Sequence, residues 1–378
     1  MQLGTFRGTA PLAAIALILG SVTLAPSPVH AADPTCFGRA ATIIGVAGED
    51  IIGTDGDDVI VGTSGPDHIE GRGGDDIICS ADDAALGTDG GGGPDWIDGG
   101  DGADQISGSY GDDIIIGGDG DDDINAVAGD DLILGGRGDD TIWTGLGADT
   151  VYGEDGDDRI DLEDGGEIER GGGVDVIHGG DGNDRIGGGN DTASEIIHGG
   201  AGNDWIRGRG GDDEIYGDDG DDILYGDAGD DSLYGGAGDD WLGGGEGDDY
   251  LHGQSGDDSL NGSEGDDELN GGSGRDSLLG RSGRDVLFGG TGDDVLAGGF
   301  GNDLVRGGDG RDDLRGGPGH DWILGHGSRD VLRGEDGDDL LEGGSARDTL
   351  SGGPGRDVIG QNTAPAKAKK AWKKAHGF

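Results

Sequence analysis

The sequence predicts an all-β repeat fold, a solenoid of short strands joined by tight turns, on three observations. Aspartate returns at every ninth position from Asp204 to Asp357, through 18 consecutive repeats. Glycine opens every one of those repeats, from Gly199 and Gly208 to Gly352. An aliphatic side chain follows each aspartate by two residues, from Ile206 and Ile215 to Leu350 and Ile359. Chance does not hold three residue types in phase over so long a stretch, and self-similarity of this kind marks a repeat architecture.

Composition agrees. A chain of 378 residues would ordinarily hold two or three domains. Here 94 glycines, 4% aromatic residues and a formal charge of -57 exclude a thick globular core. Low hydrophobicity with high net charge reads as disorder when the residues lack a period. The period removes that reading.

Along the chain, residues 1–31 stand apart as a secretory signal. Arg7 supplies a positive start, an Ala, Ile and Leu-rich run follows Pro11, and Val29-His30-Ala31 ends on a small residue. The apolar run is too short and too interrupted for a membrane span, and the mature chain is expected to begin near Ala32. Residues 32–44 form an N-terminal cap segment, 45–198 an interrupted set of repeats, 199–360 the continuous array, and 361–378 a basic tail. The breaks, at residues 80–89, 162–170 and 188–194, are expected as loops on the turns, because the repeat resumes with the same residue types. Cys36 and Cys79 both follow the signal. In an exported protein an even pair favours a disulfide over a zinc site or a catalytic thiol, with two unpaired thiols as the alternative. In the tail, Lys367, Lys369, Lys370, Lys373 and Lys374 accompany Ala368, Ala371, Trp372 and Ala375 at helical spacing.

The unit carries its own chemistry. In Gly235-Gly236-Ala237-Gly238-Asp239-Asp240-Trp241-Leu242-Gly243, glycines at positions one, two and four permit positive φ and bring carbonyls close to an ion. Aspartate at position six supplies a hard anionic oxygen, which suits calcium better than zinc or copper. Strand alternation sends the eighth side chain inward and the seventh and ninth outward, so the core is a thin stack of Ile and Leu. The candidate calcium ligands are Asp58, Asp67, Asp76, Asp95, Asp104, Asp113, Asp122, Asp131, Asp140, Asp149, Asp158, Asp175 and Asp184 before the continuous array. Within it they are Asp204, Asp213, Asp222, Asp231, Asp240, Asp249, Asp258, Asp267, Asp276, Asp285, Asp294, Asp303, Asp312, Asp321, Asp330, Asp339, Asp348 and Asp357.

This G-G-x-G-x-D-x-U-x unit resembles the haemolysin-type RTX calcium-binding repeat, over about residues 45 to 360. The resemblance implies a parallel β-roll with two nonapeptides per coil, each six-residue turn binding calcium and each x-U-x forming a short strand. It makes calcium a structural necessity. Aspartates on coils about 4.8 Å apart repel by roughly 3 kcal/mol at an effective dielectric near 20. Burying one Leu or Ile returns only about 1.5 to 3 kcal/mol, and ordering the backbone costs at least about 1 kcal/mol per residue. Departures from the pattern are expected to weaken or strain individual turns: Ser328 and Ala346 replace the fourth glycine, and Arg209, Asp218, Gln254, Arg281 and His326 the second. At position five, aspartate gives way to Arg275, Arg284, Arg311, Arg329, Arg347 and Arg356, which predicts less dependence on cations there.

No enzyme motif accompanies the repeats. The eight histidines never form H-E-x-x-H and no serine sits in G-x-S-x-G. Paired acids such as Asp239-Asp240 recur throughout, which suits ligands and a solvated surface rather than a proton-transfer pair. His178 and His198 share the ninth position and are expected to stack on one face. Val286, Leu304, Trp322, Leu340 and Val358 recur every 18 residues at position seven, either as strand-forming residues or as a candidate contact face.

The expected protein is thus a secreted, non-catalytic calcium-binding protein that folds on meeting extracellular calcium, with a structural or adhesive role. The alternatives are a module derived from an exported RTX hydrolase or epimerase, and a cell-envelope protein binding polyanions or glycans. The partners expected are calcium ions and either a surface polyanion or a second copy, with no nucleic acid and no transmembrane segment in the mature chain.

Overall fold

The computed structural model describes residues 34–81, 92–162, 173–189, 192–361 and 366–378, all within one compact unit, Pro34–Phe378. The expected signal peptide and most of the expected insertions lie outside these residues. The unit is a parallel β-solenoid of about 16 coils. Each coil holds two repeats. Trp241 pairs with Ser259, Ser259 with Ser277 and Ser277 with Val295 on one sheet, each 18 residues from the next. Ser232, Tyr250, Glu268 and Val286 pair in the same way on the other.

The core is one file of side chains between the two sheets. Position eight supplies it, as Ile60, Ile69, Ile78 and Ile97 through Ile206 and Ile215, then mainly as leucine from Leu224 to Leu341. Pleat alternation makes this file obligatory: with the eighth residue inward, its neighbours must face out. The stack continues across the breaks. Ile69 pairs with Ile97 and Val151 with Ile177, although 28 and 26 residues separate them.

The strands correct one expectation. In the continuous array they are six residues long, as in Trp241–Glu246 and Ser259–Glu264, and run from position seven to position three of the next repeat. Only positions four to six remain as turn. The cause is coil-to-coil pairing that continues past position nine: Gly236 is in register with Gln254, and Ala237 with Ser255. Three-residue strands appear towards the C-terminal end, where Asp313–Arg315, Val331–Arg333 and Thr349–Ser351 are the extent of the pairing.

Each end is treated differently. At the start, Thr35–Cys36 and Arg39–Ala40 form an antiparallel hairpin. Cys36 is joined to Cys79 with Cα atoms 5.6 Å apart, and both pack on Val61 and Ile77. Closing a loop of about 44 residues is worth roughly 4 kcal/mol in the chain-entropy account.

At the other end, Ala366–His376 is a helix. It does not cover the open last coil, since Ile359 stays 44% exposed. Instead Trp372 is buried against Leu340, beside Trp322, Val358 and Phe378, on the outer face of a sheet. Its indole Nε1–H donates to the Asp338 carbonyl at 2.6 Å. Lys369 reaches Glu342 at 2.8 Å, and the Lys373 ammonium sits 3.1 Å from the centroid of the Trp322 ring. The docked face is therefore Lys369, Trp372, Lys373 and His376, and Ala371 and Ala375 are exposed. The candidate contact face Val286, Leu304, Trp322, Leu340 and Val358 does form one in-register row. Over its last three members the occupant is this chain's own helix.

An 11-residue helix is marginal by itself in water, so its order derives from this docking. Deleting residues 367–378 is expected to cost about 2 to 4 kcal/mol at saturating calcium, the burial of one large aromatic and its hydrogen bond. Calorimetry against the full chain measures it, and Trp372→Ala should reproduce most of the loss.

Candidate metal centre

Position six is turned inward. Asp222, Asp240 and Asp258 are 1–3% exposed, and the other array aspartates before Asp348 are equally enclosed. Each carboxylate splits its two oxygens between two environments. The Oδ1 atom accepts the backbone N–H of the aspartate one coil earlier: Asp222 N–H donates to Asp240 at 2.9 Å, and Asp240 N–H to Asp258 at 3.0 Å. The Oδ2 atom is buried without a hydrogen-bond partner in Asp76, in Asp104 and in nearly every array aspartate from Asp204 to Asp348.

Linked in this way, the aspartates form two files, one along each edge of the roll. One runs from Asp58 through Asp76 and Asp104 to Asp330 and Asp348. The other runs from Asp67 through Asp95 and Asp113 to Asp339 and Asp357. Every sequence-predicted ligand falls in one of the two.

The first glycine of each repeat makes room for the unpartnered oxygen. It does not take positive φ, which corrects the expectation for that position. A Cβ on Gly235 would overlap Asp240 Oδ2 and stand 2.8 Å from the Gly253 carbonyl oxygen of the next coil. An anionic oxygen and a neighbouring carbonyl thus converge on a point that only glycine leaves open. Position two is the left-handed one: Gly236 has φ of 117°, and Arg209, Asp218, Gln254, Arg281 and His326 hold 73–79° in its place. Those substitutions store local strain of order 1 kcal/mol or more each. Ser328 and Ala346 avoid it, since neither adopts the positive φ of the fourth-position glycines.

Burial sets the charge state. Desolvation, reinforced by the aspartates of adjacent coils and opposed by the backbone N–H bond, raises these carboxyls far above their usual 3.8. Asp113, Asp122, Asp249 and Asp321 are pushed up to about 8. Asp222, Asp231, Asp240 and Asp285 reach about 7, and Asp258 and Asp267 about 6. An unpartnered carboxylate in such a place needs a cation or a proton.

Two members of the files are not aspartates. Glu195 replaces aspartate between Asp175 and Asp213; it is 1% exposed and its N–H donates to Asp213 Oδ1 at 2.9 Å. The signals were its place nine residues before Asp204, in phase with the array, and two residues before the buried Ile197. Gln361 ends the first file: its Oε1 accepts Asp348 N–H at 3.1 Å, where the next coil's aspartate would stand.

Position five builds an outer file of opposite direction. Asp257 N–H donates to Asp239 Oδ1 at 2.8 Å, and Asp239 N–H to Asp221 Oδ1 at 2.9 Å. Arginine in this file relieves its repulsion: Arg275 pairs with Asp257, Arg284 with Asp266 and Arg311 with Asp293. His178 and His198 stack with centroids 4.9 Å apart, in a file with Tyr152, Tyr216 and Tyr234.

No three His, Cys, Asp or Glu side chains converge as a ready-made metal cage among the described residues. The oxygens that do converge, one carboxylate Oδ2 and a neighbouring carbonyl at each first glycine, are of the kind calcium accepts. A family model of the RTX calcium-binding nonapeptide repeat matches the chain in successive windows from 52–84 to 324–359. The chain belongs to that family. Comparison with curated proteins gives no match. As an RTX protein the chain is a calcium-binding repeat protein, and its enclosed Oδ2 atoms and first-glycine spaces fit such an ion.

Two measurements follow. Because folding raises these acids above their unfolded value, their protonation stabilises the cation-free roll. That contribution is complete below about pH 4 and is lost as pH rises through 6 to 8. In metal-free buffer the chain should show more β structure by circular dichroism at pH 5 than at pH 8; an unchanged spectrum contradicts the burial of the acids. Asp240→Asn keeps the acceptor for Asp222 N–H and removes the anion. It should cost about 1 to 3 kcal/mol at saturating calcium, yet leave the metal-free chain at pH 7.5 no less structured.

Proposed function

We infer that this chain is an exported, non-catalytic protein whose roll folds on meeting extracellular calcium and serves a structural or adhesive role at a surface. The observation that carries the reading is the double file of buried carboxylates, most of its aspartates with one oxygen already in the backbone ladder and the other without a hydrogen-bond partner, as in Asp222, Asp240 and Asp258. The sixth-position aspartates and Glu195, with the glycine carbonyls of the turns, would hold the ions. Bound calcium would supply the positive charge that the folded interior otherwise lacks.

Export is supported by the Cys36–Cys79 disulfide, which favours an oxidising compartment, and by the signal-like residues 1–31. No helix among the described residues is long and apolar enough to cross a membrane. A non-catalytic role is supported by the enclosure of the acids with raised pKa in the coil interior, tied to the backbone rather than facing a cleft.

Calcium titration with circular dichroism and small-angle scattering tests this. In chelator at pH 7.5 the chain should be expanded and poor in β structure. It should compact cooperatively with a midpoint of roughly 0.1 to 1 mM calcium, the range of extracellular modules. Magnesium should substitute poorly, because it holds its waters and demands octahedral geometry. A chain fully folded in chelator at that pH refutes the reading.

A further inference from the structure

One outer face departs from the acidity of the rest. On three successive coils, Arg159, Arg185, Arg207 and Arg209 gather around a groove of about 190 Å³ that Trp205 also lines. Register brings them together: Arg159 pairs with Arg185, Arg185 with Trp205, and Gly187 with both Asp161 and Arg207. Gly187 at position nine leaves a notch, and the Arg209 guanidinium lies over it, donating to the Gly188 carbonyl at 2.8 Å. Arg185 stacks on the Trp205 ring, 4.4 Å from its centroid. A wider groove of about 500 Å³ continues past Arg207 and Arg209 and is lined also by Asp227, Glu246 and Glu264, so the basic site ends there.

Only part of this positive charge is spent internally. Arg159 and Arg209 share Asp161, at 3.2 and 3.4 Å, and Arg207 pairs with Asp227. Among the described residues Arg185 rests on an aromatic ring rather than on a carboxylate. Elsewhere Arg275, Arg284 and Arg311 each sit singly against an acid of the neighbouring coil, and Arg315 and Arg333 share Asp313. Ion pairing alone does not require four guanidiniums around one open groove.

We propose that this groove binds an acidic polysaccharide, with the guanidiniums of Arg159, Arg185 and Arg207 on its carboxylate or sulfate groups and the Trp205 edge against a sugar ring. Arginine's planar fork matches both anions, and an aromatic residue offers apolar surface to the C–H groups of a sugar ring. The groove is open and shallow, which suits a chain passing along the sheet rather than an enclosed small molecule. Duplex nucleic acid fits less well. It carries a charge about every 1.7 Å of axis, so the acidic turns on both edges of the face repel it more than a sugar chain with about one or two anions per disaccharide. The proposal rests on the surface role inferred above and names the site and ligand class for it.

The full chain, saturated with calcium, is titrated calorimetrically with a hyaluronan hexasaccharide, carboxylated only, and a heparin hexasaccharide, which is also sulfated. Neutral maltohexaose and a single-stranded DNA dodecamer are the controls. Saturable binding of either acidic sugar, weakened by salt and stronger than both controls, is expected, and which sugar wins assigns the anion. Arg159→Ala with Arg185→Ala should weaken it about tenfold, the loss of two partly exposed charge contacts. Arg275→Ala with Arg311→Ala, on the turns, should leave it unchanged. Arg185→Lys keeps the charge and should weaken binding less, which separates recognition from folding. The calcium midpoint of each variant is followed by circular dichroism. Failure to fold with calcium counts against calcium-coupled folding, not against the groove. In folded protein, no saturable binding of either sugar, tighter binding of the DNA, or equal losses in the two double variants overturns the proposal.

Discussion

The structure depends on enclosing carboxylates in the interior of every coil. Two files of acids run the length of the roll, tied from coil to coil by Oδ1···H–N bonds, and most of their aspartates leave Oδ2 buried without a hydrogen-bond partner. That arrangement fixes the rest of the repeat. The first position must be glycine because any Cβ would occupy the space of Oδ2, and the second favours glycine because the chain turns left-handed there. The inward file of Ile and Leu is only one residue wide and contributes about 1.5 to 3 kcal/mol per repeat. Uncompensated burial of a carboxylate costs several kcal/mol. The apolar stack therefore cannot hold the coil against its own acids without a cation or a proton.

A ladder of this kind must also be ended, because each coil offers its neighbour unpaired backbone groups. The first end is closed by a hairpin stapled to the third coil through Cys36 and Cys79. At the last coil the neutral amide of Gln361 takes the acceptor role of the absent aspartate, so one file stops without a further buried charge. The basic helix then fastens the three preceding coils from the side. It meets the outer row where Trp322 and Leu340 are large and Glu342 can receive Lys369. Its docking surface exists only once those coils are stacked, so helix order and coil order are coupled.

Outward positions vary as freely as the inward ones are constrained, and the roll's surface chemistry is written there. On one sheet the ninth position builds a stack of Tyr152, His178, His198, Tyr216 and Tyr234. On the other, the seventh and ninth positions gather Arg159, Arg185 and Arg207 around Trp205. Towards the C-terminal end, arginine at position five converts a repulsive outer file into ion pairs between coils. Such exposed pairs stabilise by about 0.2 to 1 kcal/mol each. They matter chiefly by lowering the negative potential there.

The sequence by itself determined the coil: its period of nine, the ligand aspartates of the turns, the single-file core and the hard-oxygen chemistry. These are local and repeated, so one strand alternation and one turn, read once, hold for every repeat. It also placed Val286, Leu304, Trp322, Leu340 and Val358 in one row, because register in a solenoid is counting. What it could not supply was everything that depends on which residues become neighbours where counting fails. Glu195 stands nine residues before Asp204, in phase but of another residue type and just after a break, and the pairing of Ile197 with Ile177 and Ile215 shows that its carboxylate continues the file. Gln361 lies one residue beyond the last repeat, and its amide reads as tail until Asp348 is found beneath it. The seat of Trp372 and the gathering of arginines around Gly187 were likewise decided by stacking. A coil's outer face belongs to three or four coils at once, and no single repeat contains that information.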